Sequence, residues 1–243
     1  MHKNSSCVVL YSGGMDSTVV LHHALKTHEN VYTLAFNYGQ RHVIELQKAE
    51  DYVLTLNTKL ETVRVKHITL DLRSIGGMLT TSALTNTSID VPKMKDVIGD
   101  PQNLAYVPNR NMMFLSIAAA FAESKQASTI YYGAAQADDT SGFWDCCQPF
   151  RELINEIFSL NRRNLIQVEA PLIEMSKKDI IEYGKTLDID FKKTHTCYQG
   201  TDISCGTCPS CSARLAGWIS SGYIDPLEYN RVIDWEKYNC KQL

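Results

Sequence analysis

Residues 7–11 (CVVLY) form a short apolar, β-branched run that passes through Gly13 and Gly14 into residues 16–26, where apolar side chains recur at helical spacing. Strand, glycine turn and helix in that order constrain the fold strongly, because a strand that feeds a helix rejoins its sheet as a parallel neighbour through a right-handed crossover. The unit repeats. Residues 31–37 read as a second strand leading through Tyr38 and Gly39 to a helix over 43–56, and residues 62–68 alternate like a third strand. An alanine-rich helix over 111–125 and a buried strand over 129–135 continue the pattern. Helices follow over 149–160 and 176–187, the latter opened by a capping box of Ser176 and Asp179. The expected fold class is α/β, a doubly wound, mostly parallel sheet occupying residues 1–190. Residues 191–243, with four clustered cysteines, are expected to form a small C-terminal metal-binding appendage. Residues 71–110 are rich in Gly, Thr, Ser and Pro and too long for an ordinary connection, so they are read as a functional or mobile loop.

The formal net charge is −3. A protein built to grip phosphate backbones carries a surplus of lysine and arginine, so no nucleic-acid partner is expected. No apolar run approaches membrane-spanning length, and residues 1–14 lack the apolar stretch and cleavage site of an export signal. The expected location is the cytoplasm, with no membrane partner. In that reducing compartment clustered cysteines serve better as metal ligands than as disulfides.

The turn after the first strand carries the clearest chemistry. Its two glycines let the backbone bend sharply and approach a ligand, while the first amides of the helix have no internal partners and suit an anion. With the hydroxyls of Ser12, Ser17 and Thr18 as further donors, a pyrophosphate group is the natural guest, and Leu10, Tyr11, Ser12, Gly13, Gly14, Met15, Asp16, Ser17 and Thr18 are the expected nucleotide contacts. Asp16 would repel phosphate unless a divalent cation lay between them, so it is assigned to Mg2+ or to capping. The turn lacks the lysine of GxxxxGK[ST] and the third glycine of GxGxxG. Cys197, Cys205, Cys208 and Cys211 have the spacing of a tetrahedral four-thiolate site, and with no open position such a site is structural. One Zn2+ per chain is the expected occupant, with an iron–sulfur cluster or unligated thiols as the other readings.

SGGMDST at residues 12–18 resembles the SGGxDS signature of PP-loop enzymes, which cleave ATP between its α and β phosphates and pass AMP to a substrate oxygen. Together with the four cysteines, residues 36–42 (FNYGQRH), residues 106–111 (YVPNRN), Pro171-Leu172 followed by Lys177, and Arg214 and Gly217 after Cys211, it makes nearly the whole chain similar to the 7-cyano-7-deazaguanine synthase family. That resemblance implies an adenine nucleotide alpha-hydrolase-like fold, a homodimer, and conversion of 7-carboxy-7-deazaguanine, ammonia and ATP into the nitrile through adenylated intermediates and an amide. It casts Asp16, Ser17, Arg41, Arg110 and Lys177 as catalytic residues, the three cations offsetting charge around the α-phosphate. Tyr38, Phe143, Trp144, Tyr198 and Gln199 are candidates for contacting the base, and Asp138 and Asp139 for Mg2+, substrate or a solvated turn. His42, His67 and His195 are read as structural or solvated. Trp144 and Cys147 stand where the family usually has proline and arginine, which implies one cation fewer near the substrate. An amide-forming ligase on a related 7-deazapurine, a PP-loop transfer-RNA thiolase and a zinc-ribbon binding module are the competing readings.

Overall fold

The computed structural model describes residues 5–62, 64–100, 102–136 and 143–242. Five parallel strands, β1 (Ser6–Leu10), β2 (Asn30–Asn37), β3 (Val65–Asp71), β4 (Thr129–Tyr131) and β5 (Gln167–Glu169), form one sheet in the order β3-β2-β1-β4-β5. Among the described residues six helices of ten residues or more accompany them: α1 (Met15–Thr27), α2 (Ile44–Lys59), α3 (Arg110–Ser124), α4 (Gln148–Ser159), α5 (Lys177–Thr186) and α6 (Pro209–Ser221). Side chains of a strand alternate between faces. Cys7 and Val9 of β1 accordingly join a core with Val20 of α1, Val53 of α2 and Ile181 of α5, while Val8 joins a second core with Leu115 of α3 and Ile154 of α4. The α/β, doubly wound expectation is met.

The chain winds outward through β2 and β3, then returns to lay β4 on the other side of β1. The C-terminal ends of β1 and β4 therefore border the crevice where ligands of open α/β sheets bind. Gly133, just past β4, lets the two loops meet there: a Cβ at that position would lie 3.3 Å from the backbone nitrogen of Ser17.

The C-terminal cysteine region expected at residues 191–243 is packed onto the main core: Phe191 and Trp218 are buried with Val19 and Ile181, their rings edge to face at 5.3 Å. α6 also lies against α5 so closely that a Cβ on Gly217 would come within 2.7 Å of Lys177 Cβ. Residues 71–110, read as a functional or mobile loop, are anchored on the fold: Ser82, Ala83, Leu84, Asn103, Ala105 and Val107 are buried, and Ala83 N donates to Leu104 O at 2.7 Å.

Candidate active site

A cavity of about 260 Å³ opens at the crevice. Its floor is the turn between β1 and α1, where Gly13 takes φ +78° and a Cβ would meet Glu45 O at 2.9 Å, so both conformation and space demand glycine. No side chain caps α1. Ser17 Oγ bonds to Gly14 O at 3.1 Å and lies 3.2 Å from Ser12 Oγ, while Thr18 Oγ1 donates to Gly14 O at 2.8 Å. The hydroxyls thus brace the loop, and the amides at the helix start face an incoming anion.

Two cations bracket this floor. Lys177, the first residue of α5, donates through Nζ to Asp16 Oδ2 at 2.7 Å, while Asp16 Oδ1 is buried without a hydrogen-bond partner. Such an orphaned carboxylate oxygen fits a divalent cation or a donor on a ligand. Arg110 opens α3 after Asn109, whose φ of 53° turns the chain inward. Its Nη1 donates to Tyr38 Oη at 3.2 Å. Burial opposes its charge, but Tyr38, Tyr198 and Asp145 outweigh burial and hold the guanidinium above its ordinary pKa.

The far wall is aromatic and acidic. Phe143 stacks on Tyr106 at 6.3 Å, and both line the cavity with Tyr38, Tyr198 and Tyr132. Asp145 is buried there; its Oδ2 accepts from Asn111 N at 3.3 Å, and burial raises its carboxyl above the usual range against the pull of Arg110. A planar heterocycle finds ring faces to stack on and a carboxyl group for its N–H edge.

Beside the cavity, Cys197, Cys205, Cys208 and Cys211 present sulfurs that all lie within 4.8 Å of one another, Cys205 and Cys211 at 4.0 Å. A tetrahedral ion with bonds of about 2.3 Å holds its sulfurs about 3.8 Å apart, so the set fits such an ion closely. Backbone amides support the thiolates: Cys205 N points at Cys197 Sγ at 3.3 Å and Cys208 N at Cys205 Sγ at 3.4 Å. Cys208 caps α6, whose Pro209, Ser210, Ala213 and Arg214 reach the cavity wall. Arg214 is buried with every guanidinium N–H used, on Asp225 at 2.6 and 2.8 Å, on Thr194 and Thr196 hydroxyls, and on Phe191 O. Between those threonines, His195 N donates to Gly13 O at 2.9 Å, which ties the cysteine region to the phosphate loop.

Residues 6–222 match the family described as queuosine biosynthesis protein QueC. This chain belongs to that family. The 7-cyano-7-deazaguanine synthase of Picrophilus torridus is 42% identical to it over 240 residues, 96% of this chain and 95% of that one. Those of Thermoplasma volcanium and Chromohalobacter salexigens are each 38% identical, over 97% of this chain and 95% of the former, and over 93% of this chain and 86% of the latter.

Of the residues expected at the site, Leu10, Tyr11, Ser12, Gly14, Met15, Asp16, Ser17, Arg110 and Lys177 line this one cavity. Gly13 and Thr18 frame the loop from behind. Arg41 does not join them: its Nε donates to Ala83 O at 3.2 Å and its Nη2 to Ile89 O at 2.7 Å, because a loop without strand partners leaves carbonyls that a guanidinium can satisfy. Trp144 and Gln199 are outside the lining, whereas Tyr38, Phe143 and Tyr198 belong to it. Cys147 is outside it as well, its Sγ donating to Trp144 O at 3.0 Å. Asp138 and Asp139 lie outside the described residues. Sequence reasoning missed Glu45, Asp145, His42 and His195 as cavity residues. Only their place within or beside the family motifs signalled them.

Proposed function

We propose that this chain is a 7-cyano-7-deazaguanine synthase: it uses ATP to turn 7-carboxy-7-deazaguanine and ammonia into the nitrile. One observation carries the reading, namely that a single cavity joins the phosphate loop and Lys177 to Arg110, the aromatic wall and Asp145 in a chain of this family. The α1 amides hold the phosphates of ATP, and Lys177 and Arg110 offset the charge that builds as the substrate carboxylate attacks the α-phosphorus and pyrophosphate leaves. Mg2+ at Asp16 would add further charge neutralisation at the phosphates. Ammonia then displaces AMP from the acyl-adenylate to give the amide. A second adenylation, now on the amide oxygen, lets AMP depart while nitrogen loses its protons, leaving the nitrile. Phe143 and Tyr38 provide the ring faces for the base, and Asp145 accepts from its N–H edge.

One Zn2+ held by Cys197, Cys205, Cys208 and Cys211 serves the fold, since four thiolates leave it no open position. The reading includes a cytoplasmic homodimer that binds no nucleic acid; Leu153 and Ile157 of α4, with Leu160 just beyond its end, form an exposed apolar stripe that a second copy would cover, and sedimentation equilibrium checks it. No helix among the described residues is long and apolar enough to cross a membrane. The deciding experiment is mass spectrometry of the product formed from the carboxylated base, ATP and ammonium. A nitrile is expected, an amide would point to a ligase that stops halfway, and unchanged base would overturn the reading.

A further inference from the structure

Lys177, Arg110 and the loop amides supply the positive charge that adenylation needs, and Glu45 is an acidic group of the cavity to which they leave no part. Glu45, in the first turn of α2, is 9% exposed and lines the same cavity as Asp16 and Arg110. Its Oε1 accepts a hydrogen bond from Gln40 Nε2 at 3.0 Å, and His42 Nε2 stands 3.5 Å from the same oxygen. Gln40 is itself fixed, donating to Phe36 O and accepting from Tyr38 N, both at 2.9 Å. An amide carries no titratable proton near neutrality, so Gln40 orients the carboxyl group without fixing its charge.

The groups around Glu45 leave it able to exchange a proton. From α3 the Arg110 guanidinium favours the carboxylate, and from the end of β2 the Tyr38 hydroxyl is held neutral by burial. On its own side His42 is neutral, pushed down to about 3 by burial and by the charges of Arg110 and His195. At the phosphate loop the charges of Asp16 and Lys177 are already paired with each other. Burial outweighs Gln40 and Arg110 and lifts the Glu45 carboxyl to about 7. A carboxylate fixed in its charge would only repel phosphate here, whereas one that gains and loses a proton near neutrality suits a step that sheds protons.

The ammonia-using step, on the function proposed above, sheds two. Ammonium has no lone pair and must lose a proton before its nitrogen attacks the acyl carbon. The C–N bond forms as the C–O bond to AMP breaks, and the nitrogen then loses a second proton to become the amide. We propose that Glu45 is the proton acceptor of this step: its carboxylate takes the proton of ammonium held in the cavity, becomes the neutral acid, and returns that proton to solvent before taking the next.

Glu45→Gln keeps the volume and an acceptor for Gln40 but cannot take a proton. Two quantities are measured on the same preparation: single-turnover pyrophosphate release from ATP and the carboxylated base without ammonium, and amide formation with ammonium chloride between pH 6.5 and 9. Amide formation is expected to fall about 10²-fold at neutral pH, with the deficit shrinking as alkaline pH supplies free ammonia, while pyrophosphate release falls far less. Equal losses in both quantities, or wild-type rates of amide formation, would overturn the assignment. Absence of pyrophosphate release from the wild-type protein would instead overturn the function on which it rests. Should Glu45→Gln not fold, Glu45→Asp draws the carboxyl back by one methylene and is judged by the same two quantities.

Discussion

Asp16 and Lys177 lie 161 positions apart in the sequence, yet they form the ion pair at the mouth of the phosphate loop. A carboxylate tolerates a neighbouring phosphate when a cation shares its charge, and here one oxygen has Lys177 while the other lacks a partner. Asp16→Ala is therefore expected to lower AMP formation by at least about 10²-fold, the scale of losing a preorganised charge at a reacting group. Its far-UV circular dichroism should match the wild type, because the change removes charge from a cavity wall rather than volume from the core; full turnover would refute the role. Arg41 leads to a different expectation. Its guanidinium is engaged by loop carbonyls, so Arg41→Ala should cost about 2 kcal/mol in urea unfolding and speed amide hydrogen exchange over residues 83–89. Lost turnover with unaltered stability would return Arg41 to the reaction. Residue type and motif placed both arginines at strand or helix ends. Which of them faces the cavity depended on a long loop's unpaired carbonyls, which no local pattern encodes.

The helices and long strands were legible because their periodicity is strong. α3 and α4 are each predicted one residue late and β2 is one residue longer than its pattern suggests, but β3 is predicted three residues early and β4 four residues too long. β5, three residues with one buried side chain, offers no period to read, and its place is fixed only by pairing with β4. α6 was hidden for another reason: its first turn is a cysteine spacer, so metal chemistry masked the helix behind it. That helix is tightly committed, and Gly217→Ala is expected to destabilise the fold by about 1–3 kcal/mol through overpacking against Lys177 and Ile181. Displacing Lys177 should also raise KM for ATP; a rise in stability with unchanged KM would contradict this packing. Cys208→Ser removes a thiolate and exchanges the side-chain cap of α6, from a site whose metal can contribute about 10–16 kcal/mol. Less bound metal than the wild type by elemental analysis and a lowered melting temperature are the expected results.

Across the whole molecule, buried imidazoles set the response to acid. Burial, aided by nearby positive charge, lowers His22 to about 4 and His42 to about 3. A base with a depressed pKa stabilises the fold above its unfolded value of 6.5 and loses that contribution as pH falls toward the folded value. Glu45 acts in the opposite sense, weakening the fold as pH rises from 4.5 to about 7. Imidazoles lowered by burial (His22, His23, His28, His42, His67 and His195) outnumber the raised carboxyls Glu45 and Asp145, so the urea midpoint should rise between about pH 4.5 and 6.5, and His22→Gln should flatten that rise. A midpoint independent of pH in both proteins would contradict the burial of these groups. The sheet's winding order and the crevice at its switch point follow from the repeated strand–helix unit, but the union of residues 191–243 with the main core does not. Phe191 and Trp218 are single large side chains in a cysteine-rich stretch, and nothing in their neighbourhood says that they pack against α1 and α5. That union has a physiological corollary. Since α6, capped by Cys208, packs on Lys177, a chain whose four thiolates went without a metal is expected to lose turnover together with its fold rather than stability alone.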